Sequence, residues 1–290
     1  MFGRSVIMDQ TRLGIMAVLL AFVSWGVFGV YFHALGSLPA AEIMAHRAIG
    51  TTLFSVLVLV LWRRLADIRA ILGNPRHALG LAASALAIGA NWGGFIWASA
   101  NGRALEASLG YFIYPLVSIL LARLALGERL SARQSVAVGL AALGVGWLVA
   151  HGTGIPWVAL VLAFSMAFYG LLRKTINVPA LAGLAVETGW MVLPALAYLA
   201  WIGGGEAPQA DARTIGLLAL AGPITAIPLV LFAVGARRLR LSTLGMLFYI
   251  NPTVQMLMAV LVLGEAFTMA HAVAFPVIWA ALALYSWPKR

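Results

Sequence analysis

The chain has 290 residues, 63% of them hydrophobic and only 10% charged, with a mean hydropathy of +0.98. A soluble domain carries about a quarter charged residues, so this composition excludes a surface built for water. The net charge of +10 sits in short basic clusters between apolar runs, which argues against nucleic acid, and the absence of cysteine excludes disulfides, thiolate metal sites and a cysteine nucleophile.

A helix needs about 20 apolar residues to cross a hydrocarbon core of ~30 Å. That ruler predicts ten spans, at 13–33, 42–62, 78–99, 104–125, 131–150, 155–172, 179–202, 213–234, 240–263 and 270–287. The expected fold class is an all-α polytopic membrane protein. Arg4 and Arg12 precede the first apolar run as they would in a signal peptide. The run from Leu13 to Phe32 is nevertheless long enough to span, and reads as a mature helix. With the N-terminus in the cytoplasm, every Lys and Arg falls in an inside segment except Arg103 and Arg213, outside, and Arg47, within a span. This bias predicts that both termini are cytoplasmic.

The two halves resemble each other. Phe28 to Ala40 can be laid on Phe168 to Ala180 at an offset of 140 residues. Ser108-Leu109-Gly110, Pro115 and Gly127-Glu128 are echoed by Thr243-Leu244-Gly245, Pro252 and Gly264-Glu265. The second copy has two extra residues before its proline, Ile250 and Asn251 among them, so unequal bending is expected there. Residues 1–150 and 151–290 thus read as two five-span repeats. An odd number of spans inverts the second copy, an architecture that places a binding site near the midplane.

Several strings are distinctive: Pro39-Ala-Ala-Glu42 through His46-Arg47, Asn91-Trp92-Gly-Gly-Phe-Ile-Trp97, Ser108-Leu-Gly110-Tyr111-Phe-Ile-Tyr114-Pro115, Phe168-Tyr169-Gly170-Leu-Leu-Arg173-Lys174 and Ser242-Thr243-Leu-Gly245. They resemble the RarD-type permeases of the drug/metabolite transporter superfamily, which share the EamA repeat. The resemblance covers nearly the whole chain. It implies a ten-helix permease of the bacterial inner membrane, in a group associated by name with chloramphenicol sensitivity. That family usually has asparagine before the proline of the fourth helix, where this chain has Tyr114. A substrate contact at that position would give this chain a different specificity.

Charged groups within a span cost at least ~2.5–3.5 kcal/mol at the helix centre, so each one has to be explained. Arg47 and Glu187 occupy the same column of the repeat, each eight residues beyond a helix-starting proline. At 1.5 Å per residue both lie roughly 12 Å deep from opposite faces, about 6 Å apart in height. They are read either as a central binding site for anionic and amine groups, or as an ion pair locking the halves. Glu42 and His46 share one helix face; His46 is a candidate proton carrier, or the two form a local bond seating the helix entrance. Trp25, Trp92, Tyr111, Tyr114 and Tyr249, with Asn91, Asn251 and Gln255, are candidates to line a cavity for a flat molecule. Packing, an interface belt and interhelical hydrogen bonding are the competing uses. Pro115, Pro223, Pro228 and Pro252 fall inside spans and are candidate hinges.

Ala142 and Gly146, with Gly139 and Gly144 nearby, offer small surfaces for close packing within or between protomers, so a homodimer is a candidate assembly. Glu128 and Glu265 follow glycines at helix ends and read as caps or gates. Gly203-Gly204-Gly205 reads as an outer loop, not a phosphate loop, because no strand precedes it. No nucleotide-binding sequence is present, so the expected function is a secondary transporter, an exporter of small organic molecules, driven by an ion gradient or exchange. A proton is the candidate coupling ion, and no cofactor is expected. A membrane-embedded enzyme or a channel are the alternatives; the first lacks an acidic or histidine cluster, the second lacks polar rings.

Overall fold

The computed structural model describes residues 2–35, 38–100, 104–151, 157–262 and 269–287. Its helices are α1 (Phe2–Ala34), α2 (Ala40–Leu61), α3 (Leu65–Leu72), α4 (Pro75–Ala100), α5 (Ala104–Leu126), α6 (Ala132–Ala150), α7 (Trp157–Thr175), α8 (Ala180–Trp201), α9 (Ala212–Arg238), α10 (Leu241–Leu247), α11 (Ile250–Leu261) and α12 (Met269–Ser286). Among the described residues there is no strand. Local chemistry sets the starts. Pro39 and Pro179 are the N-cap residues of α2 and α8. Ser131 and Gln134 form a reciprocal capping box on α6, and the Asp211 side chain accepts the Thr214 N–H at 2.7 Å on α9.

Among the described residues eight helices, α1, α2 and α4 through α9, are long and apolar enough to cross a membrane. The tenth expected span corresponds to α12. The ninth, expected as one helix over 240–263, is broken. Its chain leaves α10 at Leu247, turns through Phe248 and Tyr249, and restarts as α11. Pro252 sits in the first turn of α11, where its missing N–H has no intrahelical partner to lose. The equivalent α5 runs unbroken past Pro115, and α9 past Pro223 and Pro228. Unequal bending at the extra residues Ile250 and Asn251 therefore takes the form of a break. α3, eight residues long, was not expected; a segment this short, with Asp67 and Arg69 in it, is invisible to a hydropathy ruler set to the length of a span.

The helices interleave along the chain. α1 packs on α9 and α11, α2 lies between α8 and α9, and α5 packs on α7 and α10. At their meeting point Phe22, Tyr114, Tyr169, Phe232 and Phe248 are fully or almost fully buried. α6 and α12 pack together at the side, with Gly144 closing on Ile278. Gly139 and Gly146 have open space around them, so the expected Ala142–Gly146 stripe is not the face that meets α12. The outer surface exposes Leu53, Leu86, Leu124, Leu143 and Leu193, each at 65% or more. So many bare leucines suit acyl chains rather than water.

Polar ties are found at both ends of the bundle. At one end Arg238 Nε donates to Gln10 Oε1 at 3.0 Å, Arg240 Nη2 to Arg129 O at 2.5 Å, and Arg133 Nη2 to Trp287 O at 2.5 Å. The Glu128 carboxylate there accepts the N–H groups of Leu241 (2.7 Å) and Ser242 (3.2 Å) and the Ser242 hydroxyl (2.6 Å). At the other end the Glu42 carboxylate accepts the N–H groups of Glu206 (3.0 Å) and Ala207 (2.7 Å). A Cβ on Gly205 would lie 2.4 Å from that carboxyl, and its φ of +81° favours glycine as well.

Candidate substrate-binding cavity

At Gly50 and Gly222, α2 and α9 meet backbone to backbone. A Cβ on Gly222 would lie 2.4 Å from Gly50 O. One turn away from this contact, on the same two helices, Arg47 Nε donates to Thr225 Oγ1 at 3.2 Å. The guanidinium carbon stands 4.5 Å from the Trp92 ring centre, 4.9 Å from Phe32 and 6.0 Å from Phe28. Cation–π attraction to these ring faces offsets part of its desolvation. Arg47 is only 7% exposed, and among the described residues no carboxylate pairs with it.

Arg47 lines a cavity of about 430 Å³. Its walls come from α1 (Trp25, Gly29, Phe32), α2, α4 (Asn91, Trp92), α5 (Tyr111), α7 (Met166), α9 (Thr225, Leu229) and α11 (Asn251, Gln255), and it reaches Leu38, between α1 and α2, and Ala40 at the start of α2. The volume suits a small organic molecule, and the lining of aromatic walls with few polar groups is what such sites use. Among the described lining residues Arg47 is the one charged group.

Glu187 does not share this cavity. It is fully buried between helices, with Oε2 accepting the Ser84 hydroxyl at 2.6 Å and lying 3.4 Å from Arg173 Nη1. Arg173 Nη2 also donates to Ala180 O at 3.2 Å, and Gly183 leaves room for the guanidinium. Next to this pair, Lys174 Nζ donates to Leu239 O and Arg237 Nη1 to Val178 O at 2.5 Å. These bonds join α7, α8 and α9 on the side away from the cavity.

An EamA-like transporter family model matches residues 12–150. The Protein RarD of Salmonella typhimurium is 44% identical over 95% of this chain and 95% of its own length, and that of Escherichia coli is 42% identical over 95% and 94%. The chain belongs to the RarD family of EamA-like transporters. An uncharacterized transporter of Pseudomonas aeruginosa is 44% identical over 95% of this chain and 93% of its own. A solved crystal structure at 19% identity shares the fold, with a TM-score of 0.73 over 96% of this chain and 97% of that one. This RarD-family chain is therefore a multi-pass membrane transporter of the drug/metabolite transporter superfamily.

Of the candidate residues in the RarD-family sequence, the structure brings together Trp25, Arg47, Asn91, Trp92, Tyr111, Asn251 and Gln255 around the cavity. Asn91 Nδ2 also bonds Leu162 O at 3.0 Å and Ser165 Oγ at 3.3 Å, so it ties α4 to α7 as well. Tyr114 lies instead in the central core, its ring 4.2 Å from that of Phe248, and Tyr249 packs in the cluster against α12. Both rings are apolar enough to fill a core, and periodicity does not say which side of a helix a core occupies. Glu42 is consumed by the backbone of Glu206 and Ala207, with His46 Nε2 3.8 Å from its Oε1. Gly264 and Glu265 lie outside the described residues. Thr225, Ser84, Phe28, Phe32 and Arg173 had no assigned role in the sequence. Arg173 was expected only as one of the cations of the inside segments, and it is 3% exposed. The one available signal was spacing: Ser84 and Thr225, the hydroxyl partners of the two repeat-related charges, stand at nearly the repeat offset.

Proposed function

We propose that the chain is a secondary transporter that moves small organic molecules through the Arg47 cavity by alternating access, as an exporter in the bacterial inner membrane. Ten spans in two inverted repeats, 1–150 and 151–290, with both ends cytoplasmic, form the scaffold. The contacts of Gln10 and Trp287 with basic segments at one end of the bundle support that sidedness. Inversion is supported by the two repeat-related charges, each bonded to a hydroxyl of the opposite half: Arg47 to Thr225, Glu187 to Ser84.

One observation carries the reading: a cavity of about 430 Å³ reaches one end of the bundle while buried ionic and backbone ties close the other side. Opening the Arg173–Glu187 side and closing the Arg47 side completes the cycle, with the α10–α11 break and the prolines of α5 and α9 as flexing points. Proton coupling, if an ion drives the cycle, falls to Glu187, whose protonation would release Arg173. The test is counterflow in proteoliposomes with Gly29→Trp. Gly29 lines the cavity and has open space where a side chain would grow. The variant should fold normally and lose exchange of every substrate; full exchange through a filled cavity would sink the proposal. Glu187→Gln should retain binding and lose the pH dependence of transport.

A further inference from the structure

We infer that the cavity selects singly charged organic anions with a flat apolar body, held by the guanidinium of Arg47, and the inference rests on the cavity being the transport site. The chemistry of Arg47 leads there. A guanidinium has five N–H donors in a planar fork. Among the described residues one of these is used, from Nε to Thr225. The rest of the group stands beside the Trp92, Phe32 and Phe28 rings and lines the cavity. A carboxylate matches the remaining fork through two parallel charge-assisted bonds. A buried cation without an anion is costly, so an arriving carboxylate gains both the bonds and the relief of that cost.

The remaining contacts narrow the class. An amine would bring a second positive charge beside Arg47, with no carboxylate among the described lining residues to balance it. A dianion would leave one negative charge uncompensated. Trp92, Phe32 and Phe28 line the route to the guanidinium and favour an aromatic or planar body. Asn251 adds one polar feature. Its Nδ2 donates to Phe22 O at 3.3 Å, which orients the amide, and leaves Oδ1 buried with no hydrogen-bond partner. That oxygen accepts a hydroxyl or N–H carried beside the anion.

The test measures saturable binding to purified full-length protein in nanodiscs. The probes are 3-phenyllactate, indole-3-acetate and 4-hydroxybenzoate, each with its neutral amide, and phenylalaninol as a cation. At least one carboxylate should bind at least tenfold more tightly than its amide and than phenylalaninol. Arg47→Gln should erase that preference, and Arg47→Lys should keep the preference with weaker binding, because it retains charge without the fork. Asn251→Leu should lower the advantage of 3-phenyllactate over 3-phenylpropanoate, which lacks the hydroxyl. Amides or phenylalaninol binding as tightly as the carboxylates would overturn the inference, as would no binding by any carboxylate or a preference that survives Arg47→Gln. Gly29→Trp separates the two readings. If anions bind it as well as the unaltered protein, the cavity itself is wrong; if it abolishes binding that showed no charge preference, only the anion assignment falls.

Discussion

Arg47 and Glu187 stand at matching positions of the two halves, yet their surroundings are opposite. Arg47 faces a cavity, pairs with no described carboxylate and rests against rings. Glu187 is sealed, with an arginine and a serine on one oxygen. A repeat whose two copies were conformationally equivalent would treat its matched charges alike. On the proposed alternating-access reading, the difference is that one side is arranged for a ligand and the other for closure.

The sharpest way to break that comparison is to remove the charges in turn. Glu187→Ala leaves Arg173 buried without an anion, and the loss of stability should be about 3–5 kcal/mol, read as a fall in thermal unfolding temperature. Replacing both partners, Arg173→Met with Glu187→Leu, should recover most of that loss while abolishing transport. Near-normal stability in the single variant would remove the closed-side assignment. Next in size is the crossing of α2 and α9. Gly222→Val places a side chain against Gly50 and should cost about 1–3 kcal/mol, with ligand affinity falling because Arg47 moves away from Thr225.

A smaller effect is expected at Arg47 itself. Arg47→Ala forfeits one hydrogen bond and the cation–π contacts but also removes an unpaired charge, so destabilisation should stay near 1 kcal/mol. Transport should nevertheless disappear. If Arg47→Ala unfolded the protein as readily as Glu187→Ala, the contrast between binding charge and structural charge would be gone. The smallest effect belongs to Glu128, outside the spans. Burial pushes its carboxyl up, but the bonds from the Ser242 hydroxyl and the Leu241 and Ser242 N–H groups, with Arg240 nearby, outweigh that and hold it below its ordinary value. Its folded pKa lies below the unfolded one, so its contribution is complete at neutral pH and is lost as pH falls through the folded pKa. Glu128→Gln should therefore lower stability at neutral pH and flatten its acid-side decline, measured by unfolding temperature against pH.

The broad organisation was legible in the chain. Apolar run length marks helices that cross lipid, because the bilayer thickness imposes it. Cavity aromatics and Arg47 were legible for a related reason: a charge within a span must have a special environment. Tyr114 and Tyr249 show the limit, since a core ring and a cavity ring have the same composition. Even the break between α10 and α11 was signalled only as unequal bending, because proline reports a weakened helix and not whether its neighbours hold it together.

What the amino-acid order determined by itself was position along each helix: Arg47 and Glu187 each stand eight residues beyond the proline that caps their helix. It did not determine direction. Which way each side chain turns depends on the rotation of its helix against its neighbours, set by contacts far apart in the chain such as Gly50 on Gly222 and Arg173 beside Glu187. Packing alone left one of these two charges lining a cavity and the other paired with Arg173 between helices.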